Sequence, residues 1–160
     1  MFLATTADQR FWKKDEKILF LGEWCKLFNQ KSIWSQLEHE VQPYHWQSRE
    51  KYLQGSIYLN QLYESCLPIV AKNLNTAHNE NHSCQYWRIV IGGWLYYFIQ
   101  IFHDRYLSIR HIADNQKVNL TWIPHIEETD FTPKDMQTFF TWHNQDNYNL
   151  YLYSWLIKET

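Results

Sequence analysis

The stretch Lys17-Ile18-Leu19-Phe20-Leu21-Gly22-Glu23-Trp24-Cys25 decides the fold. Its apolar run lies between the charged Lys13-Lys14-Asp15-Glu16 segment and a glycine. That is the pattern of a strand buried on both faces of a parallel sheet. Upstream, Phe2-Leu3-Ala4-Thr5-Thr6 is short, apolar and β-prone, and the ten residues 7–16 suit the short helix of a tight βαβ crossover. Downstream, Val41-Gln42-Pro43-Tyr44-His45 is a third strand, which Pro43 pushes towards an edge because proline donates no ladder hydrogen bond.

Helix dominates the remainder. Tyr58, Leu59, Leu62, Tyr63, Cys66, Leu67, Val70 and Leu74 recur at spacings of three and four, with Pro68 expected to kink or split the helix. The Asn-rich segment 77–83 is a connecting loop. Gln85–Ile109 is apolar on all sides, which predicts a helix buried on all sides. Gly92-Gly93 at its centre costs about 1 kcal/mol per glycine, which predicts close approach of another backbone or a ligand. Residues 113–117 form a polar break, and Val118–Ile123 reads as a fourth strand. Thr132-Pro133-Lys134-Asp135 is a helix start with Thr132 as cap, and a last helix covers Asn147–Lys158. The expected fold is helix-rich α/β: a small parallel, Rossmann-like sheet of about three strands packed by long aromatic-rich helices, in one domain over residues 1–160.

Composition narrows the function. The chain has 160 residues and a net charge of −2, with 29 aromatic side chains and only four glycines. A glycine-rich phosphate loop has almost nothing to be built from, and the charge balance argues against nucleic-acid binding. Three cysteines cannot all pair within the chain, and their spacing matches no zinc site. The start of the chain lacks the features of a secretory signal, and the longest apolar run, Ile89–Ile99, is short of the ~20 residues a bilayer span needs. The expectation is a cytoplasmic protein with free thiols, no transmembrane segment, no metal and no cofactor.

Three segments carry candidate chemistry. Glu23 and Trp24 directly follow the best strand, where α/β proteins bind ligands, so Glu23 is placed as a general base and Trp24 as a stacking surface. The competing reading is a turn residue beside a buried thiol, Cys25. His45, Trp46 and Arg49 surround a strand-to-helix junction, where Arg49 suits a phosphate or carboxylate and Trp46 a sugar or base. Their structural alternative is an ordinary helix start with an aromatic staple. His82 and Arg88 flank the start of the central helix, and Arg88 needs an anionic ligand or a carboxylate partner such as Asp104 or Glu23. His78 and His82 lack a third metal ligand, and no G-x-S-x-G elbow is present.

These same segments, from Phe2–Thr6 and Lys17–Cys25 through Pro43-Tyr44-His45-Trp46, Arg49-Glu50-Lys51, Asn81-His82-Ser83, Tyr86-Trp87-Arg88-Ile89 and Gly92–Phe98 to Asp104-Arg105-Tyr106, carry a resemblance. The chain resembles the N-terminal region of a family of bacterial transferases whose genes are associated with surface-polysaccharide and O-antigen biosynthesis. The resemblance spans roughly residues 2–109. It implies an N-terminal, acceptor-side lobe of a longer, two-lobed, glycosyltransferase-like enzyme, with a glycan or nucleotide-sugar substrate and a separate C-terminal lobe as partner. In that reading Glu23 and His45 are catalytic, and Trp24, Trp46, Arg49, His82 and Arg88 bind substrate. The alternative is a non-catalytic interaction module whose aromatic surface docks a partner lobe or subunit.

Overall fold

The computed structural model describes residues 1–115, 118–125 and 127–159. They form two compact units: Met1–His45 with Arg105–Thr160, and Trp46–Asp104.

The first unit holds a four-stranded parallel sheet in the order β3-β2-β1-β4, with β1 Phe2–Ala4, β2 Ile18–Phe20, β3 His39–Val41 and β4 Leu120–Thr121. The count is four rather than about three, because the segment after residue 118 does add a strand beside β1. Thr121 Oγ1 reinforces that strand by donating to the Leu3 carbonyl at 2.9 Å. Every residue of β1 and β2 is buried, as their unbroken apolar runs require of strands covered on both faces. β3 pairs Ile18↔His39 through Phe20↔Val41 and takes the edge, ending before Pro43. It begins two residues earlier than the sequence pattern suggested. His39 sits edge-on to Phe20 at 5.4 Å, so a residue that reads as polar supplies aromatic packing.

The crossover from β1 to β2 is not an α-helix. It contains only a single 3-10 turn, Gln9–Phe11, capped by Asp8, whose carboxylate accepts from the Arg10 backbone at 3.0 Å. Trp12 pins the rest, its indole N–H donating to the Thr6 carbonyl at 2.8 Å inside the core. A second departure lies at Thr132. The helix starts later, as α4 Met136–Trp142 (α1 being the short Lys31–Trp34 turn), and Asp135 is its cap, accepting from the Thr138 backbone at 2.7 Å. A carboxylate makes the stronger cap at the positive end of the helix.

The second unit is a helical hairpin. Helix α2 runs Arg49–His78 unbroken through Pro68, which lies on the exposed side. It ends in Asn79, whose left-handed backbone (φ 54°) lets Asn79 N and Glu80 N donate to the Thr76 and Asn75 carbonyls. Helix α3, Cys84–Asn115, passes from the second unit into the first at Arg105. It continues to Asn115, so the polar break expected from residue 113 is helical as far as it is described; Gln116 and Lys117 lie outside the described residues. Leu67, Leu95 and Ile99 form the hairpin core, packed by Leu62, Tyr63, Val70 and Ile91.

Helix α3 is not buried on all sides. Trp87, Leu95 and Ile99 are buried, whereas Ile89, Val90 and Tyr97 are exposed, Ile89 to 78%. One neighbouring helix covers one face, and the apolar residues on the opposite face stay open. Nor do the paired glycines receive a backbone. Gly92 accommodates the Tyr63 side chain, while space beside Gly93 is open.

Helix α5, Asp146–Glu159, closes the first unit. Its first residue accepts from the Thr6 hydroxyl and, with both oxygens at 3.2 Å, from the Ala7 backbone. Asp146→Ala removes these contacts and leaves the buried Thr6 hydroxyl without its acceptor. We expect a loss of about 2–4 kcal/mol in chemical denaturation of the first unit. A change within 0.5 kcal/mol would show that the clasp is dispensable.

Candidate functional site

Parallel strands point their carboxyl ends the same way, and in such sheets ligands bind where the strand order reverses. Here the chain steps from β1 to β2 to β3 on one side and places β4 on the other, so the reversal is at β1. A cavity of about 700 Å³ lies there, within the first unit. Ala7, Asp8 and Gln9 line it from the segment after β1; Trp24, Leu27 and Gln30 line it from the segment after β2. Asn144, Asp146, Asn149 and Tyr153 come from α5 and the turn before it, and Arg105 from α3.

Packing sets the geometry of each wall. Trp24 stacks on Tyr153 with ring centroids 6.2 Å apart and planes within 10°. Tyr153 is fully buried, so it fixes the back of the indole while Trp24 remains 37% exposed. Gly22 makes room for this: a Cβ there would stand 2.0 Å from the Trp24 ring. Its backbone is extended (φ −174°), which any residue adopts, so space rather than conformation demands glycine. Asn149 is buried, donates from Nδ2 to the His143 and Gln145 carbonyls at 2.9 Å, and accepts from Arg105 Nε at 2.8 Å. The amide is thereby locked, and it orients the guanidinium. Asp8 is held by the Arg10 fork, which keeps its carboxyl below the usual range. Gln30 Oε1 is buried with no hydrogen-bond partner among the described residues.

The residues singled out from sequence fall in different places. Trp24 lines the cavity; Glu23 is next to it in sequence but exposed, with its carboxylate 3.1 Å from Lys26 Nζ. Cys25 is fully buried, its thiol 3.5 Å from the Ala4 carbonyl, and burial pushes it up to about 12. It stays protonated at neutral pH and packs as a small apolar group. His45 lies in the first unit against Tyr44, with ring centroids 4.8 Å apart.

Trp46, Arg49, His82 and Arg88 belong to the second unit. Trp46 lies over Gly55, where a Cβ would meet its ring at 2.4 Å, and donates to Asp104 Oδ1 at 2.8 Å. Arg49 is the exposed first residue of α2. His82 stacks on Tyr86 at 3.9 Å, and its backbone is gripped by Asn75, which accepts from His82 N at 3.0 Å and donates to His82 O at 2.8 Å. Asn75 also accepts from the Trp87 indole at 2.8 Å, so this loop is tied to the hairpin. Arg88 finds its carboxylate in Glu64, through a two-pronged contact at 2.6 and 2.7 Å, and not in Asp104 or Glu23. The pairing raises the Arg88 pKa and lowers that of Glu64.

Sequence reasoning missed Arg105, Asp146, Asn149 and Tyr153. The polar groups Asp146 and Asn149 sit three apart at the start of the last helix, and Tyr153 follows four later, which places all of them on one helix face. That spacing was the available signal. No group of three or more His, Cys, Asp or Glu among the described residues is placed to hold a metal ion.

Gly22→Ala should drive the Trp24 indole off its seat on Tyr153. The near-UV circular dichroism of the aromatic groups should change, with a stability loss of about 1–3 kcal/mol in thermal unfolding. An unaltered spectrum would mean that the ring tolerates the methyl group in place.

Comparison with known proteins completes the picture. No curated protein and no solved structure gives a significant match. The sequence model described as "LIC12162 family transferase" matches residues 1–160, the whole chain, and the chain therefore belongs to that transferase family.

Proposed function

We propose that residues 1–160 form a substrate-binding lobe of a cytoplasmic transferase of surface-polysaccharide biosynthesis, and that the cavity beyond β1 and β2 receives its glycan or nucleotide-sugar substrate. One observation carries this reading: an indole face fixed from behind by Tyr153 stands in a cavity that also presents Asp, Asn, Gln and Arg side chains beside Ala7 and Leu27. A sugar presents an apolar face of C–H groups and an equatorial rim of hydroxyls, and these walls match both. Membership of a transferase family supports the reaction class. Among the described residues no helix is long and apolar enough to cross a membrane.

Glu23 is the proposed base. It sits on the same turn as Trp24, outside the cavity lining, and it would take a proton from an acceptor hydroxyl as that oxygen attacks the transferred group. His45 is the second proposed catalytic group, and Trp46, Arg49, His82 and Arg88 are proposed substrate contacts of the second unit. Glu23→Gln in the full-length enzyme should lower turnover at least ~100-fold with the fold unchanged, measured as product formed per enzyme. Undiminished turnover removes Glu23 from the mechanism.

A second reading has its own support. Tyr86, Ile89, Val90 and Tyr97 lie exposed along one face of α3, with open space beside Gly93. An exposed apolar stripe of this kind suits a non-catalytic module that docks another lobe or subunit. Size-exclusion chromatography over a range of concentrations separates the two: self-association reversed by Ile89→Glu favours docking through this face, and a monomer at every concentration disfavours self-docking.

A further inference from the structure

We propose that Gln30 is the specificity-determining residue of the cavity at the end of β1. Its side-chain oxygen receives a hydrogen bond from one hydroxyl of the sugar ring lying on Trp24, so the site takes the hydroxylated sugar and rejects the deoxy sugar that lacks that group. This deepens the reading of the cavity as a saccharide site and rests on it.

The backbone that carries Gln30 is firmly held. Beyond β2 the chain makes two 3-10 turns, Glu23–Cys25 and Phe28–Gln30, and this stretch contributes Trp24, Leu27 and Gln30 to the cavity wall. The Leu27 carbonyl accepts from Gln30 N at 3.0 Å and from the Trp34 indole at 2.9 Å. Lys26 Nζ lies over the Trp34 ring, 5.0 Å from its centre. Two donors on one carbonyl fix the turn, and the Gln30 side chain leaves it at a defined point of the wall.

The far end of that side chain is not provided for. Oε1 is shut off from water and has no donor among the described residues. An amide oxygen so placed costs free energy while it stays unmatched, because it has given up water and gained nothing in return. Its neighbours on the wall are served by the fold. Gln9 Oε1 accepts from Lys14 Nζ at 3.3 Å, and Asp8 from the Arg10 fork. Asp146 accepts from the Thr6 hydroxyl and the Ala7 backbone, and Asn149 Oδ1 from Arg105 Nε at 2.8 Å. Native proteins leave few buried polar groups unpaired. One open acceptor among matched ones, on a side chain that lines the cavity, calls for a donor carried by the ligand.

The ring supplies that donor. Trp24, backed by Tyr153 and admitted by Gly22, offers an apolar face to the C–H side of a sugar. The hydroxyls then point outward around the rim, where the amide oxygen meets one of them after a side-chain adjustment of the kind common on binding. Removing that hydroxyl leaves the oxygen unmatched in the complex too, which is how a site built to bond a group rejects the analogue without it.

The test is calorimetric titration of the full-length protein with glucose and galactose, and with each singly deoxygenated and each singly deoxyfluorinated derivative of both. Fluorine keeps the size and weak accepting power of a hydroxyl but donates nothing. In at least one set, the deoxy and the deoxyfluoro sugar at one ring position should each bind at least ~10-fold more weakly than the parent. Gln30→Met, of similar length and without the acceptor, should erase that difference while parent-sugar binding persists. The same variant should leave the melting temperature of the empty protein unchanged or raised, since it removes an unmatched buried atom; a lowered melting temperature overturns the proposal by making Gln30 a structural residue. Trp24→Ala should weaken every sugar. Parent and deoxy sugars binding alike, or a difference that survives Gln30→Met, overturns the proposal and leaves the saccharide reading standing. So does a fluoro sugar that binds as the parent does where the deoxy sugar fails, because that hydroxyl is then an acceptor for another group. Absence of Trp24-dependent binding of any sugar overturns both.

Discussion

The carboxylate of Asp146 joins two segments 140 positions apart: the residues that leave β1 and the first turn of the last helix. Every polar group involved would be costly to bury alone. Thr6 is 1% exposed, and its hydroxyl gives its proton to Asp146 while accepting from the Asp8 backbone at 3.0 Å. The helix N-terminus meanwhile favours a negative charge at its first residue. One contact therefore satisfies a buried hydroxyl, a strand-end amide and a helix end together. It also brings Asn149 and Tyr153, on the same helix face, to the carboxyl ends of the strands, and so defines the back wall of the cavity.

Aromatic side chains shape both units, and scarce glycines make that possible. Of four glycines, three face an aromatic group where a Cβ would not fit: Gly22 beneath Trp24, Gly55 beneath Trp46 and Gly92 beside Tyr63. None of the four has a positive φ. Glycine serves here as missing volume and not as a turn residue. The aromatic load that looks excessive for a small core is thus partly spent on side chains packed close against glycines, and partly left exposed on α3.

The sheet was legible because its physics is local. A strand buried on both faces must be apolar at successive positions, and Ile18–Phe20 and Phe2–Ala4 obey that rule residue by residue. The third strand does lie at the edge, but Pro43 is not part of it: the strand ends at Val41, before the residue that has no N–H to donate. The turn after β2 was legible for the same local reason, and Trp24, which it carries, lines the cavity. The exposure of α3 was not legible. Its composition is apolar all round, and which face is covered depends on where Leu67 and Tyr63 of α2 lie. The partner of Arg88 was hidden likewise, because Glu64 is 24 positions away and reaches it only across the hairpin.

The residues alone therefore determined a parallel α/β sheet with long aromatic helices, the strand whose following turn lines the cavity, and kinship with a transferase family. Tertiary structure decided which polar side chains share a cavity. Asp146, Asn149 and Arg105 are unremarkable in their own segments and acquire meaning only when α3 and α5 converge on the end of β1. Strand burial is a property of consecutive residues, whereas a site is an agreement between distant ones, enforced by desolvation of the groups that must pair.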